Sequence, residues 1–453
     1  MRVSIPYSFD KSIDIRREGI GVYVSLLVKA LLDYFPDLEI EVWTYAFNKK
    51  NVYSLFKDAF EKYASRIKIY DDGVKCINSY HVMMIFCKYF VLKRAFYKVL
   101  HLITRSRFYK EKLDKLKSKK ENGDWLPIKY RKNKIQEKIK LLSHADVVYN
   151  FFVTIDMGLW FDCPKFVQVH DLFTMALKDL FAKHWNQRDL EMHNKIISDL
   201  LEQYAGQGAV FVSSSKYIAY EHSLKFIPGI HDNQVAVIPF PPLIKDFDTV
   251  DILNKKEFKN KYRIPGKYIA MPSQNRPNKN WGVILRALAE LKKQGVCLYF
   301  VTTGHVGDIQ YDGQLVKDLG IADLIIEVGS LSQKDLYALY KYSDLMVAST
   351  VIEGLGISGQ ALEALKAGSI PIIHAKSLGV AESLDAVGLT MDTADLNWFD
   401  LDDYKTLVEK IKDVLSNPES HIEKQKHILA AYLKRTWKEV ADNYMKIFNK
   451  EKE

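Results

Sequence analysis

The sequence predicts an α/β protein made of two doubly wound, parallel-sheet domains. Three observations carry this expectation. Short apolar runs alternate along the chain with stretches that are apolar at helical spacing, the order that builds βαβ units. The 453 residues exceed what one core usually organises, and a 48% apolar fraction is enough for two. One stretch reads strand, glycine loop, helix. The buried-type run Leu345-Met346-Val347-Ala348 leads into Glu353-Gly354-Leu355-Gly356-Ile357-Ser358-Gly359, and an Ala/Leu-rich helix carrying Glu363 follows. Such a loop bares backbone N–H groups, and the positive helix end favours an anion.

The first domain is expected over residues 1–242. Val3 to Tyr7 reads as a strand that begins without a signal peptide. Gly19-Ile20-Gly21 then opens a run apolar at helical spacing, and the alternating residues 38–44 form the next strand. Gly19 and Gly21 suit either a close backbone approach to a ligand or a tight turn with helix packing. Strands are expected again near 145–150, 165–169, 209–215 and 235–242, with Ser213 to Ser215 available to cap a helix. The strand at 165–169 ends in His170-Asp171, at the carboxyl end where doubly wound sheets bind ligands. Such a histidine serves either a site or a structural hydrogen bond.

An insert at about 75–140 breaks this rhythm. Residues 88–140 hold 18 Lys/Arg against 5 Asp/Glu, a surplus larger than the whole chain's net +9, so the remainder is mildly acidic. From Lys88 to Lys120 the basic residues are mixed with aromatic and aliphatic ones. That pattern fits either an anionic membrane surface or a solvated helical face. A charge confined to one insert argues against a general nucleic-acid surface. No apolar run reaches the roughly 18 residues of a spanning helix. Cys76, Cys87, Cys163 and Cys297 form no close pair, so they read as reduced thiols of a cytoplasmic protein.

A linker is expected at 243–261 and a second domain at 262–430, with a closing helix at 431–453. Residues 268–271 form a strand that ends in a loop carrying Arg276 and Lys279 beside a helix start, where they suit either holding a diphosphate or being plain solvated loop charges. Residues 298–304 form the next strand and a turn at Gly304; residues 325–331, with Val328 and Leu331, follow. Residues 403–415 and 428–448 read as the last helices.

In this order, the motifs resemble those of the retaining nucleotide-sugar glycosyltransferases of group 1. The resemblance rests on Gly19-Ile20-Gly21, His170-Asp171-Leu172, residues 210–215, Arg276-Pro277-Asn278-Lys279-Asn280, residues 349–368 and Thr436-Trp437-Lys438-Glu439. It implies two facing Rossmann-like domains (the GT-B architecture), a cleft between them and a C-terminal helix crossing back. By resemblance, Lys279 and Arg276 would neutralise the donor diphosphate, and amides of Gly354, Leu355, Gly356 and Ile357 would bind the same phosphates. Glu363 would accept from the ribose hydroxyls, Glu353 would face the sugar, and His170, next to Asp171, would contact the sugar or position the acceptor. Gly19 and Gly21 would approach the transferring centre, and Val328 to Leu331 would border the base. Cations and N–H groups at the leaving diphosphate act on the charge that develops there. No metal or other cofactor is implied, because Lys/Arg takes that role and no Asp-any-Asp motif is placed for one.

Two departures stand out. The family usually places seven residues between its two glutamates, whereas nine separate Glu353 from Glu363, as if Ser358-Gly359 lengthened the loop. An arginine common at the strand end is replaced by Ser273-Gln274, and Arg276 is expected to substitute. The expected function is transfer of a hexose, mannose favoured, from GDP-mannose or a UDP-hexose to a glycan or lipid-linked acceptor in cell-surface polysaccharide synthesis. The enzyme would be cytoplasmic, at the inner face of the membrane. An epimerase of the same architecture and a non-enzymatic anionic-lipid or nucleic-acid binding protein are the alternatives.

Overall fold

The computed structural model describes residues 1–9, 15, 18–73, 128–241, 243, 252–354, 356–367 and 371–451. The basic stretch from Lys88 to Lys120, residues 244–251 of the linker, and Leu355 of the glycine loop lie outside the described residues.

The first sheet contains β1 (Arg2–Tyr7), β2 (Glu39–Thr44), β3 (Ile67–Asp71), β4 (Val147–Asn150), β5 (Lys165–Val169), β6 (Val210–Ser213) and β7 (Val235–Val237). Their order is β3-β2-β1-β4-β5-β6-β7. The second sheet contains β8 (Tyr268–Ala270), β9 (Tyr299–Thr302), β10 (Ile325–Glu327), β11 (Leu345–Ala348), β12 (Ile372–Ala375) and β13 (Trp398–Phe399), in the order β10-β9-β8-β11-β12-β13. The pairings within the second sheet are parallel. Both are therefore Rossmann-like α/β sheets, as the alternating pattern predicts. The strands β3 and β13 were not expected: both are sheet edges, β3 buries only one of its five residues, and β13 has only two residues.

Burial on both faces explains why the second sheet's strands read as continuous apolar runs. Along β8 and β11, Tyr268, Ala270, Met346 and Ala348 enter one core, shared with Leu362 and Tyr340. The alternate residues Ile269, Leu345 and Val347 enter the other, shared with Trp281 and Leu288 of the helix Trp281–Lys293.

The order of this sheet reverses between β8 and β11: β9 and β10 continue to one side, β12 and β13 to the other. The carboxyl ends of the two strands at such a reversal diverge and leave room for a ligand. In the first sheet the reversal falls between β1 and β4, and the helix Gly19–Tyr34 follows β1.

The chain divides into two compact units, Met1–Phe166 with Phe448–Glu453, and Val167–Ile447. Within the first, the helix Ile128–Leu142 ends the insert. Its Arg131 forms a buried ion pair with Asp72 at 3.1 Å, and Lys138 donates to the Asp71 carbonyl at 2.9 Å. At least these two basic residues serve their own unit. The expected helix at 428–448 is two helices, Pro418–Leu433 and Trp437–Lys450. The break is a capping box. Thr436 Oγ1 accepts from the Glu439 amide at 3.2 Å, and Glu439 accepts from the Thr436 amide at 2.8 Å. Within the second unit Tyr444 of the last helix donates to Gln168; within the first, Phe448 meets Phe166 edge-on at 4.7 Å.

Candidate active site

The loops after β8 and β11, the strands flanking the reversal, carry the chemistry. After β8 the chain makes a short turn, Pro277–Lys279, and Asn280 adopts a left-handed conformation (φ 49°) that starts the helix Trp281–Lys293. Two bonds tie this turn to the end of β11. Ser349 Oγ donates to the Lys279 carbonyl at 2.6 Å, and the Val351 amide donates to the Asn278 carbonyl at 2.9 Å. Lys279 and Glu353 therefore project from adjoining backbones, and Lys279 Nζ lies 2.7 Å from Glu353 Oε1. Both side chains are mostly covered, at 17% and 21% exposure. Arg276 donates twice to Gln274 Oε1, at 2.8 and 3.2 Å, which splays it beside the same loop.

The glycine loop is shaped by two close approaches. A Cβ on Gly354 would lie 2.8 Å from the His170 carbonyl oxygen, and the Gly354 carbonyl accepts from Ser214 Oγ at 2.7 Å. Gly356 has φ +79°, and a Cβ there would lie 2.3 Å from that of Ser383. The Gly356 amide donates to the Glu353 carbonyl at 2.9 Å, which leaves it turned into the loop. Ser358 and Gly359, the expected extension, are the N-cap and the first residue of the helix Gly359–Lys366. Ile357 is fully buried behind them.

Glu363 sits one turn into this helix and accepts from Tyr340 Oη at 3.0 Å. Burial pushes its carboxyl up to about 7, and the Tyr340 bond opposes the rise. Asp171 is also raised to about 7, first by burial. The Phe173 amide opposes this, Glu353 adds to it, and Arg276 and Lys279 oppose it. Asp171 thus lies within electrostatic reach of all three loop charges.

The structure brings His170, Asp171, Arg276, Lys279, Glu353 and Gly354 together within one unit. Gly304 lies against the same loop from β9: a Cβ there would meet the Ser273 oxygen at 2.6 Å. Val328 and Leu331 are partly buried after β10, against the core that contains Tyr340. Gly19 and Gly21 lie in the other unit, at the start of Gly19–Tyr34, where the Gly21 amide donates to the Glu18 carbonyl at 3.0 Å.

Several supporting residues carry no sequence signal. His222, buried with a pKa lowered to about 4 by desolvation, accepts from the Leu172 amide at 2.9 Å beside His170-Asp171. Glu382 accepts from the amides of Lys216 and Tyr217 at 2.9 and 2.7 Å. His374 accepts from the Ser358 amide at 3.1 Å. Each partner is remote in sequence, so no spacing reveals the contact.

Buried polar atoms also concentrate here. Asn275 Oδ1, Asn278 Oδ1, Thr350 Oγ1, Ser358 Oγ, Gln360 Oε1 and Ser377 Oγ have no hydrogen-bond partner among the described residues. All lie at the carboxyl ends of β8, β11 and β12. Buried polar atoms in folded proteins are nearly always paired, so a cluster of such oxygens marks an end of the sheet built for polar contacts. Among the described residues no group of three or more His, Cys, Asp or Glu is placed to hold a metal ion, and no helix is long and apolar enough to cross a membrane.

Known proteins share parts of this pattern. The serotype-specific mannosyltransferase WbdA of Escherichia coli is 23% identical over 294 residues, which cover 63% of this chain. The chain spans about a third of WbdA, 34% of its length. The crystal structure of Alr3699/HepE from Anabaena in complex with UDP-glucose has a TM-score of 0.61 at 13% identity, covering 98% of this chain and 99% of that one. WaaG, a glycosyltransferase involved in lipopolysaccharide biosynthesis, has a TM-score of 0.55 at 13% identity, covering 99% of both chains. At such identities these likenesses speak for the fold. The loops that carry Arg276, Lys279, Glu353 and Glu363 all fall within residues 254–432, the segment that matches the family model described as glycosyl transferases group 1.

Proposed function

We propose that the chain is a nucleotide-sugar glycosyltransferase that moves a hexose, mannose favoured, to a glycan or lipid-linked saccharide with retention of configuration. The observation that carries this reading is the Lys279–Glu353 pair beside a glycine loop and a helix start, at the reversal of the second sheet. A cation, bare amides and a helix N-terminus form an anion site, and an adjacent carboxylate suits sugar hydroxyls.

In this reading the donor diphosphate lies against Lys279 and Arg276, with the helix start of Gly359–Lys366 on its other side. As the sugar–phosphate bond breaks, negative charge grows on the diphosphate, and both cations stabilise it. The diphosphate competes with Glu353 for Lys279 and turns Glu353 toward the sugar. Glu363 accepts from the ribose hydroxyls in its ionised form. His170 and Asp171 approach the sugar from the stretch after β5. Lysine and arginine take the charge-neutralising role, so the reaction proceeds without a metal. The names of WbdA, a mannosyltransferase, and WaaG, of lipopolysaccharide biosynthesis, support mannose and cell-surface polysaccharide synthesis. The HepE complex with UDP-glucose keeps UDP-hexoses open as donors.

A panel of nucleotide sugars tested for thermal stabilisation checks the donor, because a ligand that binds only the folded state raises the melting point. No stabilisation by any GDP- or UDP-sugar would sink the reading. Strict acceptor dependence of nucleotide release separates transfer from epimerisation. In this reading the enzyme works in the cytoplasm, at the inner membrane face. Loss of binding to anionic vesicles on deleting residues 88–120 tests that placement.

A further inference from the structure

A histidine holds the start of the helix Gly359–Lys366 from behind. His374 is the third residue of β12 and is fully buried. Its Nε2 lies 3.1 Å from the Ser358 amide nitrogen, and its Nδ1 lies 2.7 Å from the Ala375 carbonyl oxygen. An amide N–H only donates and a carbonyl only accepts. One form satisfies both: a neutral imidazole with its proton on Nδ1. Trp398 meets the ring edge-on at 5.5 Å and limits its movement. Desolvation lowers the His374 pKa, which agrees with this neutral form.

The held amide belongs to an unusual cap. A serine at the N-cap normally turns its hydroxyl to the amides of the first turn. Ser358 makes no such bond, and its buried hydroxyl has no partner among the described residues. The Ser358 carbonyl accepts from the amides of Ala361 and Leu362, at 2.9 and 3.2 Å. The amides of Gly359 and Gln360 precede those bonds and are first-turn donors with no place in the helix ladder. Thus the amide of the cap is turned back into the protein, while among the described residues its hydroxyl and the two amides meet no acceptor.

The position explains the unusual spacing of the two acids. Ser358-Gly359 is the extension between Glu353 and Glu363, and an added loop segment must be anchored or it samples many conformations. His374 supplies that anchor from the neighbouring strand.

We propose that His374 is a positioning residue for the donor diphosphate: by holding the Ser358 amide, it presents the Ser358 hydroxyl and the Gly359 and Gln360 amides to phosphate oxygens. This rests on reading the loop as the diphosphate site.

The test uses the full chain and calorimetric titration with GDP and UDP, for wild type and for Lys279→Ala, His374→Leu, His374→Gln and Ser358→Ala. Leucine removes the acceptor at similar size, whereas the glutamine carbonyl reaches about as far as Nε2. We expect His374→Leu to weaken binding about tenfold, the equivalent of one good hydrogen bond. His374→Gln should recover most of that loss, and Ser358→Ala should weaken binding about fivefold by losing one direct contact. In steady state, His374→Leu should raise the donor KM and leave the acceptor KM unchanged. Equal weakening by leucine and glutamine would reduce His374 to packing and overturn the proposal, as would unchanged binding in His374→Leu. Should the leucine variant fail to fold, unchanged binding in Ser358→Ala overturns it instead. Wild-type protein that binds neither nucleotide refutes the diphosphate site itself. Binding weakened by Lys279→Ala but not by the His374 and Ser358 changes refutes only the role of His374.

Discussion

Lys279 and Glu353 are 74 residues apart in sequence, yet Nζ and Oε1 are 2.7 Å apart in the fold. The contact follows from sheet order, because β8 and β11 are neighbours and their following loops emerge side by side. In the proposed reading it also occupies the cation assigned to the donor diphosphate, so binding and ion pairing would compete.

Removing the cation is the most direct test. Lys279→Ala should lower turnover by roughly 10²–10³-fold, the scale seen when a charge-stabilising donor at a reacting centre is lost. The fold should survive, since the side chain is a partly exposed loop residue whose ion pair is with Glu353. Initial rates alongside circular dichroism check this; near-normal turnover rejects the phosphate role.

Removing the competitor has the opposite effect on binding. Glu353→Gln should bind nucleoside diphosphate a few-fold more tightly, because a mostly covered loop ion pair contributes on the order of 1 kcal/mol. Its turnover should nevertheless fall if the carboxylate serves the sugar. Calorimetry and rate measurements on the same preparation separate the two effects, and weaker diphosphate binding would refute the competition.

If Glu363 holds the donor ribose as proposed, its carboxyl, raised to about 7 by burial, should make donor affinity depend on pH. Ribose hydroxyls donate to the ionised form, so affinity should rise as pH increases through about 7 and fall below it. Stability runs the other way. The folded state holds this proton more tightly than the unfolded chain, so its stabilising contribution is present at low pH and lost as pH rises through about 7. Glu363→Gln should flatten the Glu363 share of both curves, and Asp171, titrating in the same range, should leave a remainder. Donor titrations and melting curves between pH 5.5 and 8.5 read both.

Gly354→Ala tests the approach of His170 to the loop. The new Cβ would sit 2.8 Å from a backbone oxygen, which no side-chain rotation relieves. We expect about 1–3 kcal/mol of lost stability and a larger fractional loss of turnover than of donor binding. Chemical denaturation and separate kcat and KM values would show it, and wild-type behaviour in all three contradicts the contact.

Much of the fold was legible in local pattern. The runs at 345–348 and 268–271 announce buried strands because β8 and β11 are apolar on both faces. Glycines and the capping serine mark turns through backbone chemistry, and Ser215 does accept from the Ile218 amide at 3.2 Å. The strands β3 and β13 escaped notice because both are sheet edges: β3 buries one of its five residues and shows no apolar run, and β13 has only two residues. The break at Thr436 was hidden because residues on both sides of it share one apolar spacing, although Thr436 and Glu439 form a capping box.

The sequence by itself determined most of the strands, β3 and β13 excepted, where the glycine loop lies, and which acids and cations flank it. Those are local properties of side-chain type and spacing. Only the tertiary structure decided which of them meet. The reversal between β8 and β11 puts Lys279 against Glu353, and burial moves Glu363 and Asp171 to about 7. His374 and Glu382, silent in the sequence, take up amides of Ser358 and of Lys216 and Tyr217. A hydrogen bond depends on distance and direction, and a pKa on the surrounding dielectric. Neither quantity exists until remote segments are brought together.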